Sequence, residues 1–202
     1  MLGMRGYIIS TTKNTNNLVT YNNEISIDYK EFLQGKTFFE TELPLFYTVQ
    51  KKADLNKVKK ALILESSGPE LISKRLKEIL EVNTKNVQFF EVELYCEEEK
   101  IEGFYAINLP YKINCVNLED SEYRLTNFDP NNPNYMFYYM KLKEDIFSND
   151  SNYDIVRCKE MHRTIIISEK MKQILYEANL KGLQFSDSID ITPQERTVYE
   201  KI

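Results

Sequence analysis

Arg163 to Asp187, RTIIISEKMKQILYEANLKGLQFSD, reads as strand, helix and strand in succession. Thr164 to Ile167 is a β-branched run suited to a buried strand. Ser168 stands where a hydroxyl can accept a bond from a free backbone N–H of the first helical turn. Ile167, Met171, Ile174, Leu175 and Ala178 recur at helical spacing, leaving Lys170, Lys172, Gln173 and Glu177 for solvent. Gly182 is expected as the left-handed stop, and Leu183-Gln184-Phe185 as the returning strand.

Leu71 to Glu91, LISKRLKEILEVNTKNVQFFE, repeats the phrase. Ile72-Ser73 matches Ile167-Ser168, Lys77 matches Lys172, Ile79-Leu80 matches Ile174-Leu175, and Gln88-Phe89 matches Gln184-Phe185. The spacing is too long and the copies too few for a solenoid. The fold class that follows is α+β, with a mostly antiparallel sheet and two similar serine-capped helices, near 73–82 and near 168–179.

Both phrases resemble the signature of immunity family eleven of bacterial polymorphic toxin systems, formerly a domain of unknown function. That family carries a phrase like ILSERLKEAL, a strand like VEFFPVEL and, near its C-terminus, a phrase like IIVSERLKEALEAAGLTGLRF. Here they read LISKRLKEILEVNTKNVQFFEVEL and IIISEKMKQILYEANLKGLQF, and the resemblance covers roughly Ala61 to Ser188. Lys74 departs from the usual Glu, and Lys170-Met171 from Arg-Leu; these are surface or volume-conserving changes. The signature is structural and holds no catalytic motif. The resemblance implies an immunity protein that binds and neutralises a cognate toxin delivered between cells, by blocking rather than by catalysis.

The 202 residues suffice for one α+β domain, with 1–60 as an N-terminal part outside the resemblance and 61–188 as the immunity-protein-like region. A net charge of −5 argues against nucleic acid, whose binding rests on Lys and Arg neutralising phosphates. It is compatible with a basic protein partner. No stretch approaches the length of a membrane span. The opening MLGMRGYIISTT has only a short apolar stretch, Tyr7 to Ile9, so the expected location is the cytoplasm. Cys96, Cys115 and Cys158 show no CxxC spacing and read as free thiols.

Gly6 to Ser10 reads as a strand and Thr11 to Asn17 as a loop. Leu18 to Tyr21 and Ile25 to Tyr29 are expected as a hairpin around Asn22-Asn23, with Phe32, Phe38 and Phe39 as aromatic anchors. Lys51 to Lys60 is a modest basic patch, read as a solvated turn or short helix. Val87 to Tyr95 places Phe90, Val92 and Leu94 on one strand face, and Glu97-Glu98-Glu99-Lys100 caps a hairpin tip. Tyr105 to Cys115 alternates as a strand, with Pro110 requiring an edge or bulge. Asn127 to Asn134 is a turn cluster and Asp145 to Asp154 a polar loop. Tyr135 to Leu142, YMFYYMKL, is apolar on both faces, so it is central in a sheet or exposes an aromatic patch; the central reading is preferred.

The chemistry of catalysis is thin. His162 follows Cys158 by four residues, but the local sequence suits strand and turn rather than one helix face. Zinc needs several His or Cys ligands in close sets, which the sequence does not show. No glycine-rich phosphate loop is present. Catalytic, cofactor and metal residues are therefore none, and no cofactor is implied. The candidate partner-binding residues are Glu97, Glu98, Glu99, Tyr138 and Tyr139. The alternatives are a small cytoplasmic enzyme whose carboxylates meet only in space, or an adaptor of a secretion locus.

Overall fold

The computed structural model describes residues 5–39, 44–127, 129, 133–147 and 153–202. The expected turn cluster at 127–134 and loop at 145–154 lie in part outside them. In chain order the elements begin with β1 (Gly6–Thr11), β2 (Val19–Tyr21), α1 (Tyr29–Leu33) and β3 (Leu45–Val49). A 3-10 turn (Lys52–Asp54), α2 (Leu55–Lys60), β4 (Ile63–Leu64), β5 (Leu71–Ser73), α3 (Lys74–Asn83) and β6 (Gln88–Cys96) follow. Next are β7 (Glu99–Lys100), β8 (Phe104–Asn108), β9 (Lys112–Ile113), β10 (Val116–Leu125) and β11 (Tyr135–Leu142). The chain ends with β12 (Ile155–Cys158), β13 (Ile165–Ser168), α4 (Glu169–Glu177), β14 (Leu183–Ser186), β15 (Ser188–Asp190) and β16 (Glu200–Lys201). The result is α+β, with four α-helices among the described residues and mostly antiparallel sheets.

The chain divides into two compact units. Unit 1 is Met1–Ile9, Lys112–Asn179 and Gln184–Ile202; unit 2 is Ser10–Tyr111 and Leu180–Leu183. Each contains the same four-stranded arrangement around a strand that ends in serine.

In unit 2 the order is β6-β8-β5-β4, and in unit 1 it is β14-β1-β13-β12. The registers correspond residue by residue. Ile72 faces Tyr105 and Ile63 in unit 2; Ile167 faces Tyr7 and Ile155 in unit 1. The Ser73 N–H donates to the Leu62 carbonyl at 2.9 Å, and the Ser168 N–H to the Asp154 carbonyl at 2.9 Å. The Ser73 hydroxyl accepts from the Leu76 N–H at 3.4 Å, and the Ser168 hydroxyl from the Met171 N–H at 3.1 Å. Each occupies one of the donors that a helix start leaves without an intrahelical partner. Lys77 then lies over the Tyr105 ring at 5.3 Å, and Lys172 over the Tyr7 ring at 3.9 Å. The difference is connectivity: β8 follows its helix in sequence, whereas its counterpart β1 comes from the start of the chain.

Burial follows the helical spacing. In α4, Met171 and Leu175 are fully buried, and the helix packs on β13. Burying a side chain of that size stabilises by about 1.5–3 kcal/mol. In unit 2 the core is aromatic: Phe32, Phe38 and Phe90 pack at centroid distances of 4.7, 6.3 and 6.1 Å, and Tyr21 meets Tyr47 at 5.0 Å.

Several sequence expectations are corrected. Lys172 is buried rather than wet, its ammonium held by Glu200 at 2.8 Å and by the Tyr7 ring. The α4 stop is Asn179, at φ 50°, and not Gly182, which lies beyond it at φ 105°. The hairpin around Asn22-Asn23 does not form: β2 pairs with β3, and both asparagine side chains accept local backbone N–H bonds that turn the chain toward α1. Phe39 is 78% exposed, unlike Phe32 and Phe38. Tyr105 to Cys115 is not one strand. It breaks at Leu109–Tyr111, around the N–H-lacking Pro110, and resumes as β9, which runs parallel to β12.

Candidate functional site

The β10–β11 ribbon and β15 form a three-stranded sheet with β11 in the centre. Tyr123 pairs with Phe137 and Leu125 with Tyr135, so these side chains share a face. Tyr123, Tyr135 and Phe137 form an aromatic ladder with centroid distances of 5.2, 5.7 and 5.5 Å. Phe137 is buried, while Tyr123 is 37% and Leu125 56% exposed. On the opposite face of β11, Met136 is 42% and Tyr138 40% exposed. Both readings of YMFYYMKL thus hold: the strand is central, and it also shows aromatic surface.

Tyr139 faces the same side as Phe137, opposite Glu122. The Arg196 guanidinium lies 4.1 Å from its ring centroid. Arg196 donates to Glu122 Oε1 at 2.6 Å and Oε2 at 3.1 Å, and to Asp190 Oδ2 at 2.8 Å. The Asp190 side chain is enclosed, and it also accepts from the Thr192 N–H and hydroxyl. The Arg196 guanidinium first, and the Thr192 bonds after it, hold its carboxyl well below the usual range. Glu122 is lowered by the same guanidinium. A planar cation held by two carboxylates is immobilised, and it fixes Tyr139 in turn.

The acidic run behaves differently. Glu97 sits at the β6–β7 turn with φ 55°, and Glu98 is exposed beside it. Glu97 pairs with Lys52 at 2.7 Å and Glu99 with Lys59 at 2.6 Å, all four side chains being largely solvated. The acids belong to unit 2 and the tyrosines to unit 1.

A cavity of about 280 Å³ in unit 2 lies among Thr11, Thr12, Thr15, Lys13, Lys57, Lys60 and Lys181, with other residues of the unit. Leu18, Ala61 and Leu62 also line it, and the Lys57 ammonium is paired with Asp54 at 2.9 Å. The basic patch of the sequence contributes Lys57 and Lys60 to this cavity.

Cys115 and Cys158, distant in sequence, meet in unit 1 because β9 pairs with β12. Glu160 Oε2 accepts from the Cys115 N–H at 3.2 Å, lies 3.9 Å from Cys115 Sγ and 3.4 Å from Cys158 Sγ. The Cys115 thiol is pushed far up, by its bond with Cys158 first and by burial next. His162 is lowered, by burial and then by Lys112 and Arg157, and stands outside the thiol cluster. Sequence reasoning missed this cluster, along with Tyr123, Tyr135 and Arg196. Alternation within β10 and β11 hints at the two tyrosines, but the strand pairing that aligns them is visible only in space.

No helix among the described residues is long and apolar enough to cross a membrane. A family model described as immunity protein family (Imm11) matches residues 6–190. No curated protein matches the chain.

Proposed function

Because the chain belongs to the Imm11 immunity protein family, we propose that it acts in the cytoplasm by binding a cognate toxin domain delivered between bacterial cells. Neutralisation is stoichiometric and needs no catalytic group. The observation that carries this reading is the half-exposed aromatic ribbon braced by Arg196. Large aromatic side chains already held in place lose little entropy on binding, and such residues are the usual anchors of protein interfaces. Tyr139, with Tyr123 on the adjoining strand, is the proposed anchor on the braced face, and Tyr138 is a proposed anchor on the opposite face.

Glu97, Glu98 and Glu99 form a second proposed contact, for basic side chains of the toxin. The pairs of Glu97 with Lys52 and of Glu99 with Lys59 are solvent-exposed and screened, so they contribute little. A toxin cation can therefore replace those lysines at little cost. No nucleic acid and no membrane enter this mechanism.

We take the whole chain as one folding domain. It crosses between the two units at Ile9–Ser10, Tyr111–Lys112, Asn179–Leu180 and Leu183–Gln184. The two serine-capped helices are read as copies of one strand–helix element.

An immunity gene is expected beside that of its toxin, and the test is calorimetric titration of the purified chain into the C-terminal domain of a large secreted-type protein found encoded there. A one-to-one complex is expected, and Tyr138→Ala should weaken it at least about tenfold, or ~1.4 kcal/mol. A complex of unchanged affinity in Tyr138→Ala, Tyr139→Ala and Tyr123→Ala would remove the ribbon from the interface.

A further inference from the structure

Cys115 follows β9, Cys158 ends β12, and Glu160 lies two residues beyond it. Both cysteines are fully buried, while Glu160 is half-buried and gives the cluster a side toward solvent. The two Sγ atoms and the Glu160 carboxylate oxygen all lie within 4.8 Å of one another. Cys158 Sγ is 3.4 Å and Cys115 Sγ 3.9 Å from that oxygen.

Those separations have a simple geometric meaning. Zinc binds thiolate sulfur at about 2.3 Å and carboxylate oxygen at about 2.0–2.2 Å, in a tetrahedron. The edges of that tetrahedron are then about 3.5 Å between sulfur and oxygen, and about 3.8 Å between sulfurs. The observed 3.4 and 3.9 Å lie on either side of the sulfur–oxygen edge. The two sulfur–oxygen separations thus match tetrahedral edges, and the two sulfurs lie within 4.8 Å of each other.

Hydrogen bonding alone explains the arrangement less well. A thiol is a weak donor, and a contact of 3.9 Å between sulfur and oxygen is long. Lys143 is close enough to act on the Cys115 thiol. The Glu160 carboxylate turns inward, where Oε2 accepts from the Cys115 N–H at 3.2 Å and faces both sulfurs. Lys143 donates from its ammonium to the Asn114 carbonyl at 3.2 Å, next to Cys115, so positive charge is at hand to offset two thiolates and a carboxylate.

We propose that Cys115, Cys158 and Glu160 form a binding site for a thiophilic divalent cation of the zinc class. Binding converts both thiols to thiolates and releases their two protons to water; no oxidant or reductant is involved. Water takes the fourth position. The ion ties the Lys112–Val116 segment to the end of β12, which the two-residue β9 holds through few hydrogen bonds. The site is independent of the aromatic ribbon, so its failure would leave the toxin-binding reading untouched.

The experiment uses the full chain, metal-depleted and kept reduced, titrated with Co²⁺ and then Zn²⁺. One equivalent of Co²⁺ should produce a near-ultraviolet thiolate-to-cobalt charge-transfer band, which Zn²⁺ then abolishes. Cys158→Ser should lose the band and Cys96→Ser should keep it. Glu160→Gln, which removes no sulfur, should keep the band but bind at least tenfold more weakly. Excess Zn²⁺ at about one hundred times its Kd should raise the melting temperature by roughly 5–10 °C in the wild type. No band in folded wild-type protein, or a band and a melting shift that survive Cys158→Ser, would overturn the proposal. So would a mass loss of two hydrogens showing a Cys115–Cys158 disulfide in place of bound metal.

Discussion

Gly68→Ala should destabilise the protein through a single collision. A Cβ built on Gly68 lies 2.3 Å from Tyr21 Cγ, 2.5 Å from Cδ1 and 2.6 Å from Cβ. Ordinary carbon contacts need about 3.5–4.0 Å, so the ring or the turn must retreat by more than about 1 Å. The ring is not free to do so. Its hydroxyl donates to the Ile27 carbonyl at 2.5 Å, its backbone N–H donates to Ser67 Oγ at 3.0 Å, and the Tyr47 ring stands 5.0 Å away. Tyr47 is itself pinned, its hydroxyl donating to the Pro69 carbonyl at 3.1 Å. The turn is equally held, since the Gly68 N–H donates to Ser66 Oγ at 3.0 Å. Overpacking a fixed site costs about 1–3 kcal/mol, and this geometry belongs at the upper end. For a chain of this length that is a fall in Tm of roughly 6–12 °C. Gly103→Ala is the control: nothing lies within 4 Å of its added methyl, but its φ of +85° leaves a backbone cost of about 1–2 kcal/mol. Thermal melts followed by circular dichroism compare the two, alone and in a Tyr21→Ala background. Removing the ring relieves the Cγ and Cδ1 collisions but keeps Tyr21 Cβ at 2.6 Å, so it should erase part of the Gly68→Ala penalty and none of the Gly103→Ala penalty. A Gly68→Ala protein that melts within about 2 °C of wild type, or loses as much with the ring absent, would refute the reasoning.

Ser168→Ala should cost about 1 kcal/mol as a lost cap, hence about 2–4 °C. It should cost more than Ser73→Ala, because Ser168 also donates to Asp154 Oδ1 at 2.7 Å. Equal melting temperatures for the two variants would contradict that. Alkaline stability should fall between pH 10 and 12, because burial pushes the Tyr21 hydroxyl up to about 12 in the folded chain, against 10 when unfolded. The folded state keeps the proton that the unfolded state releases, so this stabilisation is complete below pH 10 and is lost as pH rises through 12. Urea midpoints measured across that window should slope downward, and less steeply in Tyr21→Phe. A flat profile would mean that the hydroxyl is not shielded from water.

Much of the repeated element was legible because its determinants are local. A serine before an apolar 3.6-residue rhythm marks a helix start from sequence alone, and Ser73 and Ser168 need only their own first turns. The buried state of Lys172 was not legible, because the groups that receive it are Tyr7 and Glu200, from opposite ends of the chain. For the same reason β1 gave no sign that it completes unit 1, since only its register against β13 shows this. The ribbon was half visible. YMFYYMKL announces an aromatic strand, but Arg196 and Asp190 join Tyr139 through the chain's return near its C-terminus. The thiol cluster depends on the two-residue parallel pairing of β9 with β12, which leaves no periodicity to read.

The most direct test of the central claim is co-expression in bacteria. The proposed cognate toxin domain, sought at the C-terminus of a secreted-type protein encoded beside the chain, is expressed alone, with this chain, and with a Tyr123→Ala/Tyr138→Ala/Tyr139→Ala variant, scoring growth and pull-down together. Our account predicts arrest with the toxin domain alone, rescue with a one-to-one complex for the wild type, and loss of both in a variant that still folds. Rescue by a chain that forms no complex would contradict it, and would point to an activity that reverses the toxin's damage.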